Sequence, residues 1–487
     1  MKFLFSKLPT DKFFWISLAL IVRAVLGVHL FVTQDEVYFN GIYDTTHSDA
    51  YYYLHAVENF IKTGDYHPSY RMPGLSLLFY ILRLFFSVKQ AINGIIIIHI
   101  LTAAVTVYYL ALSLWLVSKN KLAFFICYFL FLISPLCMAY EFHPMSEPLS
   151  TSLLIFYFYN LIQYDIQKRT NLLWIAGFCI VSAVFFRPVY LPFIGLPFLI
   201  FAIRSLKEGI DWKNLIKLYR VIVPFLFFEL LWVNHNYKKY DKFVPLQPAN
   251  FILPEGSVRY NLMQLLIDYG GDIVPWNDNS EINWFYNFST IKRQNSIEME
   301  NVFPFPKELF QKTTTIDTLV KYKALIHAYI DDTTRTDKEA IRLEIDGLTK
   351  RMRTYIKDDY PFYFYVTKRF ILLKKFVMNK GTYFLYPESF KDLNLFQKIY
   401  KIIASLIYMG VMILLPFGLI LTFFKGKSNL HYIYFYGAVI YTLIVFPFVL
   451  GYVEYKYISP AFPSMIAVSS LFMATIWEKI AMRLQKK

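Results

Sequence analysis

The sequence predicts an all-α polytopic membrane protein, and three observations carry that reading. Of the 487 residues, 56% are hydrophobic and 20% aromatic, and the mean hydropathy is +0.39. Only 17% are charged, against about 25% in ordinary soluble domains; a soluble fold of this length has no room to hide so much apolar surface. Many basic residues cluster in short loops between apolar runs of membrane-crossing length. The formal charge of +15 therefore fits the positive-inside pattern of a membrane protein and not a nucleic-acid partner.

A crossing helix needs about 20 apolar residues. With that ruler, spans are expected at 13–32, 91–117, 122–140, 148–164, 172–186, 189–203, 221–234, 402–424, 431–451 and 457–477, about ten in all. The N-terminus, MKFLFSKLPTDK, is basic and leads into a run too long for a signal-peptide core. No small-residue cleavage site follows, so it reads as a retained first span.

The segment 73–88, PGLSLLFYILRLFFSV, carries Arg83 in its middle. If it crossed the membrane, the loop with Lys119 and Lys121 and the loop RSLKEGIDWKNLIKLYR would fall outside. If it lies along the surface, the basic residues collect on one side: Lys2, Lys7, Lys12, Lys119, Lys121, Lys168, Arg169, Arg204, Lys207, Lys213, Lys217, Arg220, Lys425, Lys427, Arg483, Lys486 and Lys487. The one-sided tally selects an interfacial helix and places both termini in the cytoplasm.

Two regions then face outward. One is the loop 33–90, inside an N-terminal module 1–234. The other is a polar block at 235–400 with turn-rich stretches (LPEGSVRY, GGDIVPWNDNS) and a helical stretch around TRTDKEAIRLEIDGLTKRMRTYIKDD. It is long enough for a small soluble domain, and the C-terminal helices of 401–487 follow it. The three cysteines, Cys127, Cys137 and Cys179, lie in apolar runs at no metal-ligand spacing. No internal repeat, P-loop, GxGxxG or GxSxG is present.

Candidate chemistry gathers at the outer side. In HSDAYYYLHAVENFIKTGDYHPSYRMPG, residues 47–74, the positions Ala50, Tyr53, Leu54, Val57, Phe60 and Ile61 recur at helical spacing. Ser48 is placed to cap this helix, Asp49 falls in its first turn, and Gly64 ends it. A first-turn carboxylate is kept ionised by the helix dipole and is competent to take a proton from a hydroxyl; it would equally serve only to support the helix start. Tyr51, Tyr52 and Tyr53 either line a binding site or anchor the helix at the interface.

The loop YEFHPMSEP puts Glu141, His143 and Glu147 between two apolar spans, where ionisable groups are costly. A polar loop with Glu147 supporting a helix start is the plainer alternative. Arg71, Arg187 and Lys456 are single cations beside apolar helices, suited to a phosphate headgroup or to snorkelling. His47, His55 and His67 match no compact metal motif. Asp49 with Glu141 or Glu147 would supply oxygen ligands for Mg or Mn.

The order of these features resembles the GT-C membrane glycosyltransferases, and more closely the branch holding protein O-mannosyltransferases, aminoarabinose transferases and RgtA-like bacterial enzymes. The matching residues are Asp49, Tyr51 to Tyr53, Gly64, Asp65, Tyr66, Arg71, Pro73 and Gly74; SPLCMAYEFHPMSEPLS and KYISPAFP match more weakly. The resemblance covers roughly 10–230 and the C-terminal spans, not 235–400. Many relatives carry an Asp-Glu pair at the loop acid, whereas Ala50 follows Asp49 here. The upstream pair Asp35 and Glu36 is the competitor. Lys456 stands where an arginine is common.

The resemblance implies a sugar transfer from a polyprenyl-phosphate donor to a lipid, protein or glycan acceptor, with inversion, at the outer face of a bacterial inner membrane. It implies Asp49 as base, with Lys456, Arg187 and Arg71 at the donor phosphate. A transporter or flippase of lipid-linked sugars would put ionisable groups at midplane. A polymerase or ligase of lipid-linked saccharides is expected to place its main loop late in the chain.

Overall fold

A computed structural model describes residues 9–33, 49–68, 71–138, 140–247, 254–271, 281–285, 305–331, 336–378, 389–427, 429–453 and 455–485. Among them the chain is helical, and it divides into two compact units. The first comprises 1–248, 380–441 and 458–487; the second comprises 249–379 and 442–457.

In the first unit, α1 (Lys12–Thr33) is followed by α2 (Asp49–Thr63), α3 (Gly74–Arg83), α4 (Val88–Ser118), α5 (Lys121–Leu132), α6 (Pro135–Met138), α7 (Glu147–Gln167) and α8 (Asn171–Phe186). A 3-10 stretch, Pro188–Gly195, leads into α9 (Leu196–Glu208), α10 (Trp212–Lys217) and α11 (Tyr219–Tyr240). Among the described residues, six helical segments are long and apolar enough to cross a bilayer: Lys12–His29, Val88–Ser118, Pro188–Glu208, Leu395–Gly426, Leu430–Leu450 and Phe462–Gln485. Their exteriors carry Ile402, Leu406, Ile413, Phe417 and Ile420 exposed along one helix, an apolar outer surface that water would not tolerate and lipid does. This is a multi-pass membrane protein.

The segment 73–88 is helical only over Gly74–Arg83. Ten residues rise about 15 Å, half of a hydrocarbon core, so α3 is too short to cross. Arg83 is not stranded in lipid: its Nε lies 2.6 Å and its Nη2 3.3 Å from the two carboxylate oxygens of Glu58 on α2. The expected span at 122–140 is broken, because α5 stops at Leu132 and a short helix, α6, resumes at Pro135. Proline cannot continue the ladder of the preceding turn.

The second unit holds α12 (Val258–Tyr269), α13 (Ile282–Phe285), α14 (Ile316–Asp331) and α15 (Lys338–Asp359) around one apolar core, and α16 (Lys368–Val377) follows. Tyr269 stacks on Phe310 at 5.3 Å, and Tyr322 shares a 2.8 Å hydrogen bond with Thr349 inside it. Arg353 pairs with Asp268 at 2.5 Å. The unit is narrower than 235–400, since α11 runs to Tyr240 and the chain then folds back on it. Trp232 Nε1 donates to the Leu246 carbonyl and Asn236 to that of Val244. It also takes in 442–457, where Arg369 donates to the Pro447 carbonyl and Phe376 meets Phe446 at 6.0 Å.

The remaining first-unit helices are α17 (Leu395–Gly426), α18 (Ile433–Ile444), whose residues 442–444 are grouped with the second unit, and α19 (Phe462–Gln485). Capping boxes start the two longest helices, Ser87 with Gln90 for α4 and Asn394 with Gln397 for α17. Each satisfies two donors that a helix start otherwise leaves open.

Candidate functional site at the α2–α3 hairpin

The G-D-Y and R-M-P-G residues turn out to be the fasteners of a helical hairpin. Gly64 has φ +77°, a left-handed conformation that ends α2 and that side chains disfavour. Asp65 then receives Lys239 Nζ at 2.5 and 2.7 Å, and that hydrogen bond holds its carboxyl below the usual carboxylate range. The Tyr66 ring meets Phe60 at 6.4 Å, Trp232 at 6.5 Å and His235 at 5.8 Å. The turn thus ties the end of α2 to α11.

Gly74 fastens the other end. A Cβ there would lie 2.6 Å from the Phe185 carbonyl oxygen and 2.8 Å from the Phe186 amide, so only glycine lets α3 start against the last turn of α8. Two residues on, Ser76 Oγ donates 2.9 Å to the Tyr53 carbonyl of α2. Tyr53, Leu54, Val57, Leu75 and Phe79 form a buried cluster with Ile92 and Ile95 of α4, and Phe186 packs against it.

These contacts join the elements that carry three of the candidate residues. Asp49 opens α2 one helical turn before Tyr53; only its backbone is described. The Arg71 guanidinium stands 5.7 Å from the centre of the Tyr53 ring. Arg187 follows Phe186 directly, where the backbone leaves the helix (φ −152°, ψ 112°). Its Nη1 pairs with Glu147 in the first turn of α7, and both side chains are buried. Ser146 Oγ donates to the second Glu147 oxygen at 3.3 Å, and Thr151 and Tyr190 face each other one turn on, at 3.4 Å.

The other candidates have contacts of their own. Glu141 is buried against Arg23 of α1, at 2.9 Å. His143 lies in the turn between α6 and α7, its amide on the Tyr140 carbonyl at 3.2 Å. Tyr51 stacks on His55 at 4.8 Å and meets Tyr52 at 5.8 Å, both half-buried, while Tyr53 is core. Lys456 is buried in a 3-10 turn of the second unit, 6.0 Å from the Tyr457 ring centre. His47, Ser48, Asp35 and Glu36 lie outside the described residues.

Glu147 and Glu141 each face an arginine, so their charge is already compensated and they do not fit the oxygen-rich shell a divalent cation needs. Among the described residues no group of three or more His, Cys, Asp or Glu converges. Sequence reasoning missed Arg23; its signal was a lone arginine in the middle of an apolar span.

No family model matches the sequence, and no curated protein does. Among solved structures, the chain is similar to the crystal structure of ArnT from Cupriavidus metallidurans bound to undecaprenyl phosphate. That match covers 94% of this chain and 77% of that one, with TM-score 0.37 and 11% identity. The apo structure of the same protein matches over 92% and 77%, with TM-score 0.34 and 12% identity. Likeness at this level bears on neither substrate nor site.

Proposed function

We propose that this chain is a membrane glycosyltransferase that moves a sugar from a polyprenyl-phosphate donor to an acceptor hydroxyl, with Asp49 as base. The observation that supports it most is the convergence described above: the helix opened by Asp49, the Arg71 cation and the Arg187 cation are fastened together through Tyr53, Ser76 and Gly74. Joined elements that carry an acid and two cations suit a reaction whose leaving group is a phosphate.

In that reaction the Asp49 carboxylate takes the proton of the acceptor hydroxyl as its oxygen attacks the anomeric carbon. The bond from that carbon to the phosphate oxygen breaks on the opposite face, inverting the centre, and the electron pair leaves on the polyprenyl phosphate. Arg71 and Arg187 stabilise the charge growing there. Glu147 acts through Arg187, fixing its guanidinium; a carboxylate occupies at most two of the five donors such a group carries. Tyr51 and Tyr52 offer half-buried rings beside Asp49 for the sugar, and the acceptor is a lipid, protein or glycan. Membrane orientation follows the basic loops, with the site facing outward from a bacterial inner membrane.

The test is transfer by the full chain in proteoliposomes, fed with polyprenyl-phosphate sugars, alongside mass spectrometry of glycoconjugates from cells with and without it. Asp49→Asn is expected to lower turnover by about 10²–10⁴-fold, with unchanged expression and melting. Retained turnover in that variant, with loss in Asp35→Asn or Glu36→Gln, would move the base upstream.

A further inference from the structure

The end of the first unit that carries the basic loops holds a second polar site, far along α7 from Glu147. A cavity of about 40 Å³ opens between the ends of α7 and α9, α10 and the start of α18, with Asp165, Lys168, Ile200, Arg204, Asn214 and Tyr434 in its wall. Room for one water takes about 10–15 Å³. The space therefore holds roughly three oxygen atoms' worth of ligand, the scale of one phosphate group and well short of a nucleotide.

We propose that this cavity binds the phosphate of an anionic phospholipid drawn from the leaflet on the basic-loop side, with Arg204 and Lys168 as its cationic walls. Asp165 is the one carboxylate in the lining, and its closest partner is His431, whose Nε2 lies 2.8 Å away. Asn429 Oδ1 holds the other ring nitrogen at 2.7 Å and anchors the pair to α4, since its amide donates to the Val117 carbonyl. Arg204 and Lys168 each stand 3.5 Å from Asp165, beyond the 2.7–2.9 Å of a tight charge-assisted bond. They are arranged to take a second anion without breaking the Asp165–His431 contact.

A membrane lipid is favoured over free phosphate by what surrounds the mouth. Leu206, Ile210, Trp212 and Ile216 are all exposed along the α9–α10 connection, interleaved with Lys207, Lys213 and Lys217. Gly209 turns the chain there with φ +86°, and α10 has only six residues, so this stretch lies across the helix ends and not through the membrane. Apolar side chains alternating with lysines around a cation-walled cavity match acyl chains below and a phosphate above. The site needs nothing from the transfer reaction and stands apart from the function proposed above.

The experiment is native mass spectrometry of the purified full chain released from nanodiscs. The discs contain phosphatidylcholine alone or phosphatidylcholine with phosphatidylglycerol, and inorganic phosphate serves as competitor. The expected result is a retained phosphatidylglycerol adduct that phosphate does not displace. Arg204→Gln with Lys168→Gln should weaken it by about tenfold or more per cation removed. Asn214→Trp, which blocks the mouth and keeps every cation, should weaken it as well and remains informative if the double variant folds poorly. Lys119→Gln with Lys121→Gln, the same charge removed from another exposed basic loop, should leave the adduct intact. Equal retention of phosphatidylcholine, or equal loss in the Lys119/Lys121 variant, would overturn the site. Full displacement by inorganic phosphate would overturn its assignment to a lipid.

Discussion

Two buried arginine–glutamate pairs stand in the first unit, Arg23 with Glu141 and Arg187 with Glu147. Arg23 sits inside a continuous helix, and its second nitrogen reaches the Phe131 carbonyl at 3.4 Å, in the last turn of α5, where that oxygen also accepts the Ser134 amide at 3.3 Å. Nearby, Tyr128 donates 2.5 Å to the Trp15 carbonyl across the same helix pair. Arg187 sits where a helix ends, in extended backbone, next to the glycine that admits α3. The first pair closes a break in the bundle; the second holds a cation where the hairpin opens. The same two side chains thus do different work according to whether the backbone around the arginine is continuous or interrupted.

That contrast is broken most sharply by removing each arginine in turn. Arg23→Ala leaves Glu141 buried without its cation, a loss of about 3–5 kcal/mol. The expected outcome is little folded protein by size-exclusion yield and melting, with normal turnover per folded molecule. Arg187→Lys keeps a charge opposite Glu147 and forfeits the planar fork. Its expected cost is about tenfold to a hundredfold in transfer rate, or about 1.4–2.7 kcal/mol, with melting close to wild type. If Arg23→Lys slowed turnover as much as Arg187→Lys, the division between the pairs would fail.

A half-exposed pair calibrates the scale. Glu58→Gln weakens the contact that joins α2 to α3 through Arg83 and is expected to cost about 1 kcal/mol, read as a small fall in melting temperature. Transfer should change by less than it does in Arg187→Lys.

A pH-dependent effect is expected in the second unit, where Lys368 is a buried cation whose nearest carboxylate, Asp268, is 4.0 Å away. Its amine donates to the carbonyls of Ile267 and Asp268 at 3.3 and 2.9 Å, and burial pushes its pKa down to about 7 despite Asp268. Between that value and about 10.4 in the unfolded chain, the unfolded state binds the extra proton. Stability should therefore rise with pH across that window. Melting of the full chain at pH 7 and 9 checks it, and Lys368→Met should flatten the slope.

The sequence made the membrane class readable because apolar runs and basic loops are local features. That 73–88 holds no helix of membrane-crossing length was readable too, since Arg83 and the loop charges both argue against a crossing. The arginine at 187 stood out because a proline follows it. Arg23 did not stand out: a window of hydropathy averages over one cation, and its partner is more than a hundred residues away. For the same reason Glu141 read as a candidate for acceptor or metal binding, when its carboxylate faces α1. Gly74 read as part of a motif, but why no side chain fits there depends on Phe185, which no local pattern reveals. The G-D-Y residues likewise gain their meaning only through Lys239 and Trp232.

The second unit is built from two separate stretches, 249–379 and 442–457, and the shorter one includes the π-helical turn Val445–Leu450. Exchange of this unit with another scaffold therefore cannot be made by a single cut and paste. A graft of 249–379 alone would leave Arg369 without the Pro447 carbonyl and Phe376 without Phe446. A workable chimera has to carry both pieces, and Lys456 travels with the second of them.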